Sequence, residues 1–315
     1  MNHRLALAQI EEAHHTIDPV FINSPQYECE PLSKLLGCKL ILKVETINPI
    51  RSFKGRGADW LVSQSTDSHL VCASAGNFGQ AMAYACRKRN IKCTVYASVS
   101  ANPFKVERMK SLGAEVILFG NDFDAAKLEA KRMAAKGKLR FVEDSQDIET
   151  LAGAGTIGFE LLSFTKPLDV LLIPLGNGAL LNGIARVFKE HSPQTSIVAI
   201  QAEGASAMID SWKKGEMVIH PTVSTIADGI GVRLPVPQAL IDMKDLVDQG
   251  LLVKEETILK AMKLMHTHGG IVVEPSGAVG LAAILENKNL FAEKNVATII
   301  CGSNLTEEQM KKWLS

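Results

Sequence analysis

Residues 169–188 read DVLLIPLGNGALLNGIARVF. An apolar run ends at Pro174, a turn of small residues (Gly176, Asn177, Gly178, Ala179) follows, and a helical pattern starts near Leu180. A strand that feeds a helix through so short a turn is half of a βαβ unit. Small residues let backbone N–H groups converge, and the helix N-terminus adds positive partial charge, so the turn suits a phosphate. The spacing is not G-x-G-x-x-G and no Lys-Ser/Thr follows, which excludes the dinucleotide fingerprint and the Walker loop. A plain strand-to-helix connection has the same outward form.

The same alternation extends in both directions. KLILKVE, HLVCASAG, KCTVYAS, AEVILFG and LRFVED predict strands. Between the last four lie GQAMAYACRKRN, PFKVERMKSLG and DAAKLEAKRMAAKG, where apolar residues recur three and four apart. A second series adds SIVAIQAEG, ILKAMKLMHTHGG, GAVGLAAILENK and VATIICGSN. Two such series predict an α/β protein of two mostly parallel sheets with helices on both faces. The expected small domain covers 47–148, and 1–46 plus 149–315 form the large one.

Bulk properties fit this picture. The chain has 315 residues, 46% hydrophobic and 22% charged, with 34 basic and 34 acidic side chains. That balance gives no electrostatic reason to bind nucleic acid or a membrane surface. MNHRLALAQIEEAHH lacks the apolar run and cleavage site of a signal peptide, and no segment approaches the apolar length of a membrane span. A cytoplasmic enzyme or binding protein is expected. The six cysteines form no C-x-x-C pair and read as buried thiols, apart from Cys301 at the end of an apolar strand.

Ligands of open parallel sheets bind beyond the carboxyl ends of strands, so the loops there carry the functional reading. Besides the glycine turn, three stand out. In CASAGNFGQ, Ser74, Ala75, Gly76 and Asn77 form another anion-friendly turn, where Asn77 can bind a ligand or cap a helix. In INPIRSFKGRGADWL, Ser52 can cap a helix whose first turn contains Lys54. The helix dipole and burial there disfavour an ammonium, as a Schiff-base lysine requires; an exposed helix lysine is the ordinary alternative. In ATIICGSNLT, Cys301, Gly302, Ser303 and Asn304 follow a strand.

Together the four loops resemble the fold type II (tryptophan synthase β-like) family of pyridoxal phosphate enzymes, and within it the serine/threonine dehydratase group. SFKGRGA is similar to that family's cofactor-lysine motif, SAGNFGQA to its asparagine loop and GNGALLNG to its phosphate cup, while EPSGA and CGSN match its late motifs. The resemblance implies that Lys54 binds pyridoxal 5'-phosphate covalently, that Phe53 packs on its ring and that Asn77 bonds its 3-hydroxyl. Backbone amides of Gly176, Asn177, Gly178 and Ala179, with Leu180, would hold the phosphate. The cup departs from a four-glycine form at Asn177 and Ala179, which matters only where φ must be positive. Cys301 would face the pyridine nitrogen, where a thiol cannot hold a proton as a carboxylate does; the resulting weaker electron sink suits elimination. Ser74, Ala75 and Gly76 would contact the substrate, and Glu274 would lie near the ring edge. The implied reaction is β-elimination from a hydroxyamino acid such as L-serine or L-threonine, with the Lys54 amine taking the Cα proton and a 2-oxo acid and ammonia as products.

Rivals remain within and outside the family. Racemases of this fold carry a second serine where this chain has Ala75, a residue without a titratable group. β-Replacement enzymes share the lysine motif but differ at CGSN. A nucleotide-binding dehydrogenase would use Glu203 on a ribose, against the wrong glycine spacing and with no role for Lys54. A non-catalytic relative is not excluded by any motif. Some family members bind a divalent ion through a Glu and an Asp six residues on; here Glu203 is followed by Ile209, so no metal is expected. His266 and His268 are spaced for a helix C-terminus rather than for a metal. A homodimer is expected.

Overall fold

The computed structural model describes residues 3–315. In chain order the strands are β1 (Gln26–Glu28), β2 (Lys39–Val44), β3 (His69–Ala73), β4 (Lys92–Ala97), β5 (Glu115–Leu118), β6 (Arg140–Val142), β7 (Val170–Pro174), β8 (Ser196–Ala202), β9 (Gln249–Val253) and β10 (Asn295–Ile300). The helices of the first half are α1 (Leu7–Thr16), α2 (Glu30–Leu36), α3 (Lys54–Gln64), α4 (Asn77–Lys88), α5 (Pro103–Ser111), α6 (Phe123–Gly137) and α7 (Ile148–Leu162). Those of the second are α8 (Ala179–His191), α9 (Ala207–Lys214), α10 (Pro237–Met243), α11 (Glu255–Gly269), α12 (Pro275–Glu286), α13 (Lys288–Phe291) and α14 (Glu307–Leu314).

Two sheets result. Six strands run in the order β1-β2-β10-β7-β8-β9 and four in the order β5-β4-β3-β6. Every pairing is parallel except β1 with β2. Side chains alternate along each strand between two apolar layers. In β7, Val170 and Leu172 join the core beneath α11 and α12, while Leu171 and Ile173 join the core with α7 and α8. In β3, Leu70 and Cys72 pack towards α3 and α4, and Val71 and Ala73 towards α6. Helices on both faces are what a continuous apolar strand requires.

Strand order also locates the site. The small sheet steps from β3 to β4 to β5 and then returns to place β6 on the other side of β3. The large sheet steps from β7 to β8 to β9 and then returns to place β10 beside β7. Each reversal opens a crevice at the carboxyl ends of two adjacent strands, the usual ligand position in open α/β sheets. The loops at these crevices begin at Ser74, Glu143, Leu175 and Cys301.

Helix α7 runs between the two halves. Gly153 faces Gly57 and Arg56 of α3, where an added Cβ would lie 2.5 Å from Gly57 Cα. At Gly183 of α8 an added Cβ would lie 2.3 Å from the Leu151 carbonyl. Glycines therefore let three helix backbones touch. A buried charge network pins the same junction: Arg56 bonds Glu45 and Glu160, and Lys43 bonds Glu160 at 2.5 Å. No helix among the described residues is long and apolar enough to cross a membrane.

Candidate active site

The four loops surround one cavity of about 230 Å³. Phe53, Lys54, Ser74, Ala75, Gly76, Asn77, Gly176, Asn177, Gly178, Ala179, Leu180, Glu274 and Cys301 all line it. Residues more than two hundred positions apart in the chain are thus brought together by the two sheet reversals.

Lys54 opens α3, and its cap differs from the sequence expectation. Phe53, not Ser52, is the N-cap residue, and it supplies no side-chain bond. Ser52 Oγ instead donates to the Cys301 carbonyl at 3.1 Å and lies 3.4 Å from Lys54 N. Phe53 N donates to the same carbonyl at 3.1 Å, so the head of α3 is tied to the end of β10. The Lys54 amine is paired: Nζ donates to Asp144 Oδ2 at 2.6 Å and lies 4.6 Å from the Phe53 ring centre. Nothing in LRFVED marks its second acid, Asp144, as facing a lysine ninety positions earlier.

Asn77 is the first residue of α4 and not its cap. The N-cap is Gly76, and Ser74 Oγ accepts from Gly79 N at 2.9 Å and Gly76 N at 3.1 Å. Asn77 is consequently free to be fixed by side chains: Nδ2 donates to Glu274 Oε1 at 2.8 Å, and Oδ1 accepts from Asn304 Nδ2 at 2.8 Å. Glu274 also accepts from Asn304 N at 3.0 Å. Burial pushes the Glu274 carboxyl up to about 7; Lys105 opposes this, Asp228 adds to it, and the bonds from Asn304 and Asn77 hold it down.

In the glycine turn, Gly178 has φ +105°, the region where a side chain is strained, while Ala179 begins α8 with ordinary helical geometry. Glycine is thus kept where positive φ requires it. Ala179 N donates to Ser145 Oγ at 2.9 Å, a second residue that sequence reasoning missed. The amides of Gly176, Asn177 and Gly178 have no acceptor among the described residues. Free N–H groups at the N-terminus of α8 form an anion cradle. Ser276 Oγ is also buried on the cavity wall without a partner among the described residues. Burial raises the pKa of the Cys301 thiol, with the nearby Glu274 charge adding to the effect, so the group facing the cavity there is neutral.

Among the described residues, no cluster of His, Cys, Asp and Glu side chains could hold a metal ion. Ile209 is fully buried, and His266 and His268 are exposed in the last turn of α11.

A switch-point cavity with a lysine amine on one wall and backbone amides without acceptors on another can hold an anionic group beside an amine. A family model described as "Pyridoxal-phosphate dependent enzyme" matches residues 17–302, and the chain belongs to that family. Pyridoxal phosphate is its cofactor. A protein named L-threonine dehydratase catabolic TdcB from Staphylococcus aureus is 33% identical over 96% of this chain and 90% of its own. The solved structure of threonine deaminase isoform 2 from Solanum lycopersicum superposes with a TM-score of 0.89 at 30% identity, covering 97% of this chain and 92% of that one. Maize serine racemase superposes with a TM-score of 0.91 at 28% identity, covering 97% and 95%.

Proposed function

We propose that the protein is a pyridoxal-phosphate-dependent ammonia-lyase that removes the β-hydroxyl of a small hydroxyamino acid, L-threonine or L-serine, giving a 2-oxo acid and ammonia. The observation that carries this reading is the pairing, in one cavity, of Lys54 with a neutral Cys301 and a non-titratable Ala75. The dehydratase and deaminase relatives support it.

When bound, the cofactor supplies an electron sink that makes the Cα proton of an amino acid acidic. The amides of Gly176, Asn177 and Gly178 would bind its phosphate, and Phe53 would pack on its ring. Asn77 is held by Glu274 and Asn304 and would bond the ring hydroxyl. The Lys54 amine would hold the cofactor through its aldehyde and, when free, would be the base that accepts the Cα proton. Cys301 would lie beside the ring nitrogen as a neutral thiol, and with no carboxylate there the ring would be a weaker electron sink, which suits elimination. Ser74, Ala75 and Gly76 would border the substrate. Racemisation needs an acid or base on the opposite face, and Ala75 has none; this favours elimination even with a racemase among the structural relatives.

We further take 47–148 as the small domain and 1–46 plus 149–315 as the large one. All four strands of the smaller sheet lie within the first range, although its core also receives α1 and α7. Six free cysteines fit a reducing cytoplasm, and two-fold association is the general preference of soluble oligomers.

The test is a panel of β-substituted L-amino acids given to the purified holoenzyme, with ammonia, keto acid and the chirality of residual substrate measured. Ammonia with equimolar 2-oxo acid from L-threonine or L-serine is expected. Accumulation of D-enantiomer without ammonia would replace this reading with racemisation.

A further inference from the structure

We infer that Lys105 is a substrate-binding residue, its ammonium receiving the α-carboxylate of the amino acid and being held by Asp228 until substrate arrives. This rests on the amino-acid lyase reading above.

Lys105 lies in the first turn of α5, behind the Asn102 side chain that caps Phe104 N at 2.9 Å and behind Pro103. A cation is disfavoured at a helix N-terminus, where the dipole is positive, unless an anion shares the place. The side chain is 6% exposed and lines the cavity. Its end reaches over the N-terminus of α4: a Cβ placed on Gly76 would be 3.8 Å from Nζ. Two helix starts and a buried ammonium therefore face one spot beside the Ser74–Gly76 loop. The amine has one acceptor among the described residues, Asp228, which leaves two of its three protons unpartnered. Burial lowers the pKa of the amine, but Asp228 and Glu274 outweigh it and raise the value overall.

The partner differs in kind. The Asp228 side chain is 57% exposed, belongs to the segment between α9 and α10 and lines the cavity. A solvated carboxylate exchanges at little cost, whereas the buried lysine needs some carboxylate at all times. Substrate supplies one. The exchange conserves the charge of the pocket and returns Asp228 to water.

The alternative is a purely structural latch between α5 and the Asp228 segment. The two roles separate cleanly, because removing either partner breaks a latch, but only removing Lys105 harms a receptor. Dissociation constants for L-serine and for L-serinamide, which lacks the carboxylate, are read from the change in cofactor absorption on mixing. This readout needs no turnover. Lys105→Met should weaken L-serine by about tenfold or more, the scale of one charge-assisted bond, and leave L-serinamide unchanged. Asp228→Asn should tighten L-serine severalfold, and Lys105→Arg should keep most of the affinity. Equal weakening of both ligands by Lys105→Met and Asp228→Asn would overturn the inference in favour of a latch. Unchanged L-serine binding in Lys105→Met, with a responsive parent enzyme, would overturn it while leaving the lyase reading intact. A parent enzyme that answers neither ligand would overturn both. If Lys105→Met does not fold, the direction of the Asp228→Asn change decides.

Discussion

Lys54 Nζ donates to Asp144 Oδ2 at 2.6 Å, which joins the head of α3 to the loop after β6. The other carboxylate oxygen is buried without a partner. This ion pair has to open before the amine can attack an aldehyde. Asp144→Asn should therefore speed capture of pyridoxal phosphate by the apoprotein severalfold at neutral pH. Mixing experiments that follow the absorbance of the bound cofactor check this, and slower capture would assign Asp144 a helping role instead.

Glu274 carries a pH dependence of definite sign. Its carboxyl is raised by burial from 4.5 to about 7 in the folded protein. The folded state thus keeps a proton that the unfolded chain has released, and stability falls as pH rises from about 4.5 to 7. Glu274→Gln should flatten that fall. Because Glu274 fixes Asn77, the same substitution should remove an inflection near pH 7 from the kcat/KM profile. Matching profiles for variant and parent would contradict both expectations.

Gly153→Ala tests the helix junction. The new methyl would meet Gly57 Cα at 2.5 Å and the Arg56 carbonyl at 2.6 Å, both backbone atoms that cannot turn aside. Overpacking of this kind costs about 1–3 kcal/mol or more, and here it displaces the helix that carries Lys54. A lowered Tm together with weaker cofactor retention is expected. A lowered Tm with full retention would show that α3 moves as a rigid body with its surroundings.

Glu160 contributes in the acid range. Burial would raise its carboxyl, but bonds and charges from Arg56 and then Lys43 overcome that and hold it at about 2, below its ordinary 4.5. The folded state is thereby favoured above pH 4.5, and the benefit is lost as pH falls towards 2. A shift of that size corresponds to about 3 kcal/mol. Glu160→Gln should be strongly destabilised at pH 7, where Arg56 and Lys43 lose a shared partner, and should lose less on acidification than the parent. Denaturant titrations at several pH values measure it.

The legible parts of the sequence were those with local periodicity. Strands β2 to β8 and β10 carry apolar runs, and the helices after β3, β4 and β5 carry amphipathic repeats closed by Gly or Asn. Helix α7 escaped because IETLAGAGTIGFELL is buried on nearly every side and keeps no polar face to reveal its period. The strand β9, QGLLV, lies at the sheet edge with two half-exposed leucines and looks like loop. The site residues in motifs all reached the cavity. Asp144, Ser145, Lys105 and Asp228 did not announce themselves, because each acts through a partner that only the tertiary fold supplies. The partners of Asn77 have the same origin: Glu274 and Asn304 come from distant loops, while Gly76 rather than Asn77 is the N-cap of α4.

Borohydride reduction of the purified protein in the presence of pyridoxal phosphate, followed by peptide mapping, bears most directly on the central claim. A stable pyridoxyl adduct on Lys54 and its loss in Lys54→Ala are expected. An adduct confined to any other lysine, or none at all, would contradict the account.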